Sequence, residues 1–175
     1  MKKTILLTGG ARSGKSAFAT ELAEKYGENI TFMATCQALD VEMKKRIALH
    51  RKSRPKTWIT IEEPMDVQQA LRKIPAKTGA VIIDCLTLWV TNLLLAGKSE
   101  KTILSQVKAI AGAIKSSAFS VIIVTNEVGS GIVPENKLAR DFRDIAGKAN
   151  QIVARAADEV FVMIAGMPLK LKGGK

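Results

Sequence analysis

Six short runs rich in β-branched or unbroken apolar residues punctuate the chain. They are TILLT (4–8), ITFMAT (30–35), TWITI (57–61), AVIID (80–84), SVIIVT (120–125) and EVFVMIA (159–165), and each reads as a strand. Between them lie stretches with apolar positions at helical spacing: residues 15–27, 40–52, 66–74, 87–97, 100–116 and the long 134–157. Strand-then-helix alternation predicts an α/β fold, a mostly parallel sheet covered by helices on both faces. The closing MPLKLK (167–172) is expected to return as an antiparallel edge strand. Pro134 suits the first turn of the long helix and Asp40 an N-cap. Pro55 should end the 40–52 helix by residue 54, because the residue before a proline avoids helical dihedrals.

Composition narrows this picture. A chain of 175 residues, 47% hydrophobic and without a Pro- or Ser-rich linker, a low-complexity tract or an internal repeat, is expected to form one domain over 1–175. The opening MKKTILLTGGA has an apolar stretch too short for a secretory signal and runs directly into a charged, glycine-rich segment, so it reads as a strand. TLWVTNLLLA (87–96) is far below the roughly 20 apolar residues that a membrane span requires. These features point to a cytoplasmic protein with no membrane span. Cys36 and Cys85 lack metal-site spacing and fit reduced thiols. The net charge of +11 calls for an anionic partner. With aromatic residues at 5% and basic runs that are short, a base-stacking surface is poorly supported and nucleic acid is not expected; phosphorylated small molecules suit the charge.

The segment GGARSGKS supplies a specific candidate. Gly9, Gly10, Ala11, Arg12, Ser13, Gly14, Lys15 and Ser16 match the G-x-x-x-x-G-K-[ST] phosphate loop, with a strand before it and a helix after it. Glycines let the loop curl its N–H groups inward, and the helix N-terminus adds partial positive charge. Lys15 would reach the β- and γ-phosphates, and the Ser16 hydroxyl would ligate Mg2+. The fold is thus of the P-loop NTPase type. Such loops work with a carboxylate at the end of a neighbouring strand that holds the Mg2+ shell, and AVIID supplies Asp84 in that position. A second strand, SVIIVT, runs into a loop carrying Asn126 and Glu127, where ligands of open α/β sheets sit. A site role and a capped turn are both open for those two residues.

His50 is the only histidine, in a chain with 27 lysines and arginines. Helical spacing puts it on a face with Met43 and Ile47, and with Arg46 and Arg54 at matching offsets. A neutral imidazole there could attack an α-phosphate in line, with the arginines stabilising the charge that develops. The same spacing suits a structural ring, and spacing alone leaves both readings standing.

In GGARSGKS, MATCQALDVEMKKRIALHRKSRPKTWITIEEP, VIIDCLTLWVTNLL and above all VTNEVGSGIVPENKLARDFRDIAGKANQ, the chain resembles the bifunctional adenosylcobinamide kinase/adenosylcobinamide-phosphate guanylyltransferases of cobalamin biosynthesis. The resemblance runs over nearly the full length. It implies a recombinase-like P-loop domain, assembled as a homotrimer. It also implies that GMP from GTP becomes attached to a histidine in an R-I-x-x-H-[RK]-x-x-R-P setting, which His50 matches. Some family members have two consecutive histidines here; this chain has Leu49 before His50, so only one ring can be modified. Arg51, Lys52, Ser53, Arg54, Glu62 and Asp84 would contact the guanine nucleotide, and Ala34, Thr35 and Cys36 would line it. The implied activity is phosphorylation of adenosylcobinamide by ATP or GTP, followed by GMP transfer to the cobinamide phosphate, with Mg2+. Two rivals share the cradle: a single-activity P-loop kinase in which His50 is structural, and a recombinase-type ATPase that binds nucleic acid.

Overall fold

The computed structural model describes residues 1–37, 48 and 55–174. The expectations for Asp40, for the 40–52 helix with its Met43, Arg46 and Ile47 face, and for its end before Pro55 lie outside the described residues.

The strands are β1 (Thr4–Gly9), β2 (Ile30–Ala34), β3 (Ile59–Glu62), β4 (Ala80–Asp84), β5 (Ser120–Val124), β6 (Glu159–Ile164) and β7 (Met167–Lys172). The described helices are α1 (Lys15–Glu24), α2 (Val67–Arg72), α3 (Leu86–Leu95), α4 (Glu100–Lys115) and α5 (Lys137–Ala156). All seven strands form one sheet in the order β3-β2-β4-β5-β1-β6-β7. Every pairing is parallel except β6 with β7, which is antiparallel, as the closing MPLKLK predicts. A two-residue turn joins that last pair, with Ala165 at φ 51° and Gly166 at φ 84°, the two positive φ values that match a hairpin's twist.

The strands are apolar at successive positions because both faces of the sheet are covered. On one face Ile5, Leu7, Phe32, Ile82 and Val124 pack against Ala19, Leu22 and Ala23 of α1. On the other, Leu6, Met33, Ile83 and Ile123 pack against α2 to α5 through Leu71, Trp89, Ile110 and Ile145. Adjacent residues of one strand serve opposite faces, which is the period-two geometry of the pleat. Among the described residues no helix is long and apolar enough to cross a membrane.

Three of the boundaries that differ from the sequence expectation have a hydrogen bond that explains them. The long helix starts at Lys137, not Pro134: the Asn136 side chain accepts from the Ala139 N–H at 3.2 Å and fixes the N-cap there. Pro134 stays outside and lends its carbonyl to Arg140 Nη1 at 2.9 Å. The TWITI strand begins at Ile59, because Trp58 is held in a turn by its N–H bond to the Pro55 carbonyl at 3.1 Å. Asp66 is the cap of α2 rather than its first residue, accepting from the Gln69 N–H at 3.0 Å.

Register places the site. Glu62 pairs with Ala34, Ala34 with Asp84, Asp84 with Val124, and Val124 with Leu7. The carboxyl ends of five adjacent strands therefore finish in one row.

Candidate active site

The loop between β1 and α1 is shaped by its glycines. Gly9 has φ 144°, and a Cβ there would stand 2.5 Å from the Met163 carbonyl oxygen of β6. Gly14, at φ 94°, is the N-cap of α1, and no side chain caps that helix. From behind, the β6–β7 turn braces the loop, with the Gly166 N–H donating to the Ser13 carbonyl at 3.1 Å.

Lys15 is only 7% exposed. Its ammonium folds back over the loop, donating to Gly9 O at 3.0 Å, Gly10 O at 2.6 Å and Ser13 Oγ at 3.4 Å. Burial lowers its pKa below 10.5, and the nearby Asp84 charge pulls the other way. Next in sequence, Ser16 Oγ donates to Asp84 Oδ2 at 3.0 Å, joining the start of α1 to the end of β4. A hydroxyl and a carboxylate this close are hard oxygen donors, a set that fits Mg2+ completed by phosphate oxygens. Among the described residues no group of three or more His, Cys, Asp and Glu could hold a metal, so a cation here would draw on Ser16, Asp84 and the nucleotide.

These groups border a cavity of about 520 Å³. Its wall includes Ala11 to Ser16, Ala34, Cys36, Glu62, Asp84 and Asn126. Gly9 and Gly10 stand behind it and take the Lys15 bonds through their carbonyls. Thr35 is not in the wall. Its side chain is fully buried, donating to Cys85 O at 2.7 Å and accepting from the Cys85 N–H at 2.8 Å, which ties the end of β2 to the end of β4. His50, Arg51, Lys52, Ser53 and Arg54 lie outside the described residues. Of the two candidate residues in the loop after β5, Asn126 and Glu127, Asn126 reaches the wall. Glu127 does not: its carboxylate accepts from the Gly129 N–H at 2.6 Å and its own N–H donates to Gly9 O at 3.0 Å.

An apolar part of the wall, formed by Phe32, Cys85, Leu88 and Val124, was missed from sequence. Strand alternation carried a signal for half of it, since Phe32 stands two residues before Ala34 and Val124 two before Asn126. Cys85 caps α3, accepting from the Leu88 N–H at 3.4 Å, and the Asp84–Cys85 peptide is cis. Burial pushes the Cys85 thiol up to about 12.

A parallel sheet with a phosphate loop at the end of β1 and a carboxylate at the end of β4 defines a P-loop NTPase fold. Solved structures share that fold. The flagellar accessory protein FlaH from Methanocaldococcus jannaschii matches over 98% of this chain and 79% of its own, at 14% identity and a TM-score of 0.54. The P4 protein of bacteriophage phi6, solved in complex with ADP, matches over 95% of this chain and 54% of its own, at 16% identity and a TM-score of 0.50. Within that fold, residues 5–171 match the family model described as cobinamide kinase / cobinamide phosphate guanyltransferase, and the chain belongs to that family. The bifunctional adenosylcobalamin biosynthesis protein CobU of Salmonella typhimurium is 41% identical, over 96% of this chain and 99% of its own. The corresponding CobP of Pseudomonas aeruginosa is 40% identical, over 96% of each chain. The chain is accordingly an enzyme, a kinase and nucleotidyltransferase of adenosylcobalamin biosynthesis.

Proposed function

We propose that the protein phosphorylates adenosylcobinamide and then converts the phosphate to adenosylcobinamide-GDP through a covalent GMP–histidine at His50. The observation that carries the reading is the cradle itself, with buried Lys15 beside the Ser16–Asp84 pair at 3.0 Å, on a chain of this family. In the first reaction the hydroxyl of the aminopropanol arm attacks the γ-phosphorus of ATP or GTP; a new O–P bond forms, the bond to the β-phosphate oxygen breaks, and the hydroxyl proton leaves to solvent. The residues Gly9 to Ser16 hold the phosphates, and Lys15 swings its ammonium from the loop carbonyls to the phosphate oxygens. Ser16 and Asp84 would hold Mg2+, which supplies charge neutralisation on those oxygens.

In the second reaction an imidazole nitrogen of His50 attacks the α-phosphorus of GTP and expels pyrophosphate. A phosphate oxygen of the cobinamide phosphate then attacks the same phosphorus and expels the imidazole. Each half is an in-line displacement at one phosphorus. Ala34, Thr35, Cys36, Arg51, Lys52, Ser53, Arg54, Glu62 and Asp84 are assigned to the guanine nucleotide, Thr35 from the layer behind the wall. The whole chain is read as one catalytic domain from its length and composition, and as cytoplasmic from its short apolar runs; the homotrimer rests on the family resemblance.

Intact mass after incubation with GTP and Mg2+, beside His50→Ala, tests the reading. One added GMP on the wild type alone is expected. A protein that binds GTP and never carries the adduct would return His50 to a structural role and leave a kinase.

A further inference from the structure

Asn126 leaves the carboxyl end of β5 with both of its backbone polar groups held. Its N–H donates to Thr87 Oγ1 at 2.6 Å, and its carbonyl accepts from Asn150 Nδ2 at 3.2 Å. Between those two partners stands Thr125, whose Oγ1 lies 2.9 Å from Thr87 Oγ1 and donates to Asn150 Oδ1 at 2.7 Å. A threonine hydroxyl has one proton to give. Thr125 gives its own to Asn150, so the proton between the two hydroxyls comes from Thr87. The bonds thus run one way around a closed ring, from Asn126 N–H through Thr87, Thr125 and Asn150 back to the Asn126 carbonyl. Thr87 and Thr125 are 5% and 0% exposed, so the ring is largely shielded from water. It draws on α3, α5 and the segment after β5, three elements that meet only in the folded chain.

A buried polar ring of this kind is stable only when every member is paired, and then it rigidifies what it encloses. What it encloses is the backbone of one residue. Asn126 is in the cavity wall with the phosphate loop and Asp84, and its carboxamide takes part in none of the hydrogen bonds found among the described residues. We infer that Thr87, Thr125 and Asn150 are positioning residues that aim the Asn126 carboxamide at a phosphoryl oxygen of the bound nucleoside triphosphate, where its N–H2 donates during transfer. The inference rests on the cavity being the nucleotide site. A fixed donor is more effective than a mobile one because it needs no reorganisation as charge develops.

The test uses the full chain, with GTP affinity by calorimetry and steady-state phosphoryl transfer to adenosylcobinamide. Asn126→Ala should lower kcat about 100- to 1,000-fold, the scale for losing one preorganised donor, with GTP Kd within about 3-fold of wild type. Thr87→Val should lower kcat in the same way, and Thr87→Ser, which keeps the hydroxyl, should restore it. In Asn126→Ala, adding Thr87→Val should slow transfer no further, because the ring has nothing left to aim. Should Thr87→Val fail to fold, Asn150→Asp carries the same test: it keeps the acceptor for Thr125 and replaces the donor to the Asn126 carbonyl. Wild-type kcat in Asn126→Ala, or an undiminished effect of the ring substitution in that background, overturns the inference. A wild-type chain that binds GTP and transfers nothing overturns the proposed function instead.

Discussion

Replacing Lys15 by Met separates what the phosphate loop does for nucleotide from what it does for the fold. The ammonium makes its bonds to Gly9 O and Gly10 O at 3.0 and 2.6 Å. Both carbonyls have a second donor: the Glu127 N–H at 3.0 Å on Gly9 O, and the Ser13 N–H at 3.3 Å on Gly10 O. Removing the amine therefore orphans neither acceptor, and a methionine stem of similar length fills the space without desolvating a charge. Stability should change by no more than about 1 kcal/mol, a shift of roughly 2–4 °C in Tm for a chain of this size. Nucleotide binding should behave differently, because a charge-assisted bond to phosphate is worth about 1.5–3 kcal/mol, or on the order of 10- to 150-fold in Kd. Burial lowers the lysine's pKa below 10.5, so the folded chain holds the ammonium less well than the unfolded one does. That cost is fully present below the folded-state pKa and fades as pH rises from it towards 10.5, so wild type should gain stability relative to Lys15→Met over that window. Calorimetric titration with GTP and thermal melts from neutral to alkaline pH read both effects. A variant that binds GTP within 3-fold of wild type, or that loses more than about 3 kcal/mol of stability, would refute this account of the lysine.

Asp84→Asn keeps the Ser16 contact in shape but removes the charge, and should raise the Mg2+ concentration needed for half-maximal transfer by roughly 10-fold or more. An unchanged Mg2+ titration would reduce Asp84 to a strand-end partner of Ser16. Gly9→Ala puts a methyl 2.5 Å from the Met163 carbonyl oxygen at a φ of 144°, and should cost about 2 kcal/mol or more in urea unfolding; an unaltered midpoint would show that β6 yields there. With its pKa pushed up to about 12, the Cys85 thiol should be about one part in ten thousand thiolate at pH 8 and resist a thiol reagent until the chain unfolds. Two thiols reacting at equal rates in the native protein would contradict that burial.

The phosphate loop was legible in the sequence because it is local: eight consecutive residues, Gly9 to Ser16, carry the motif, and a strand and a helix flank it. Asp84 was within reach because it ends the AVIID strand, whereas Ala34, Cys36 and Glu62 came only through the family resemblance; parallel strands in register bring these ends to one row whatever their separation along the chain. Thr35 shows how finely that row is graded. Strand alternation turns it away from its neighbours Ala34 and Cys36, and its hydroxyl is spent on Cys85. The start of α5 was misread because Pro134 and Asn136 both signal a helix N-terminus, and the side chain that can bond the Ala139 N–H decides between them. No sequence pattern could reveal the ring around Asn126, whose contacts join residues 38 and 25 positions apart. They meet only because α3 and α5 pack beside the end of β5. The row itself bears on the proposed two reactions. With strands about 4.8 Å apart, β3 stands four steps, roughly 19 Å, from β1. Phosphates seated on Gly9 to Ser16 then leave the β2 and β3 ends, with Cys36 and Glu62, for the far part of a nucleotide. The γ- and α-phosphorus atoms, which the two transfers attack, would lie at different points along one row.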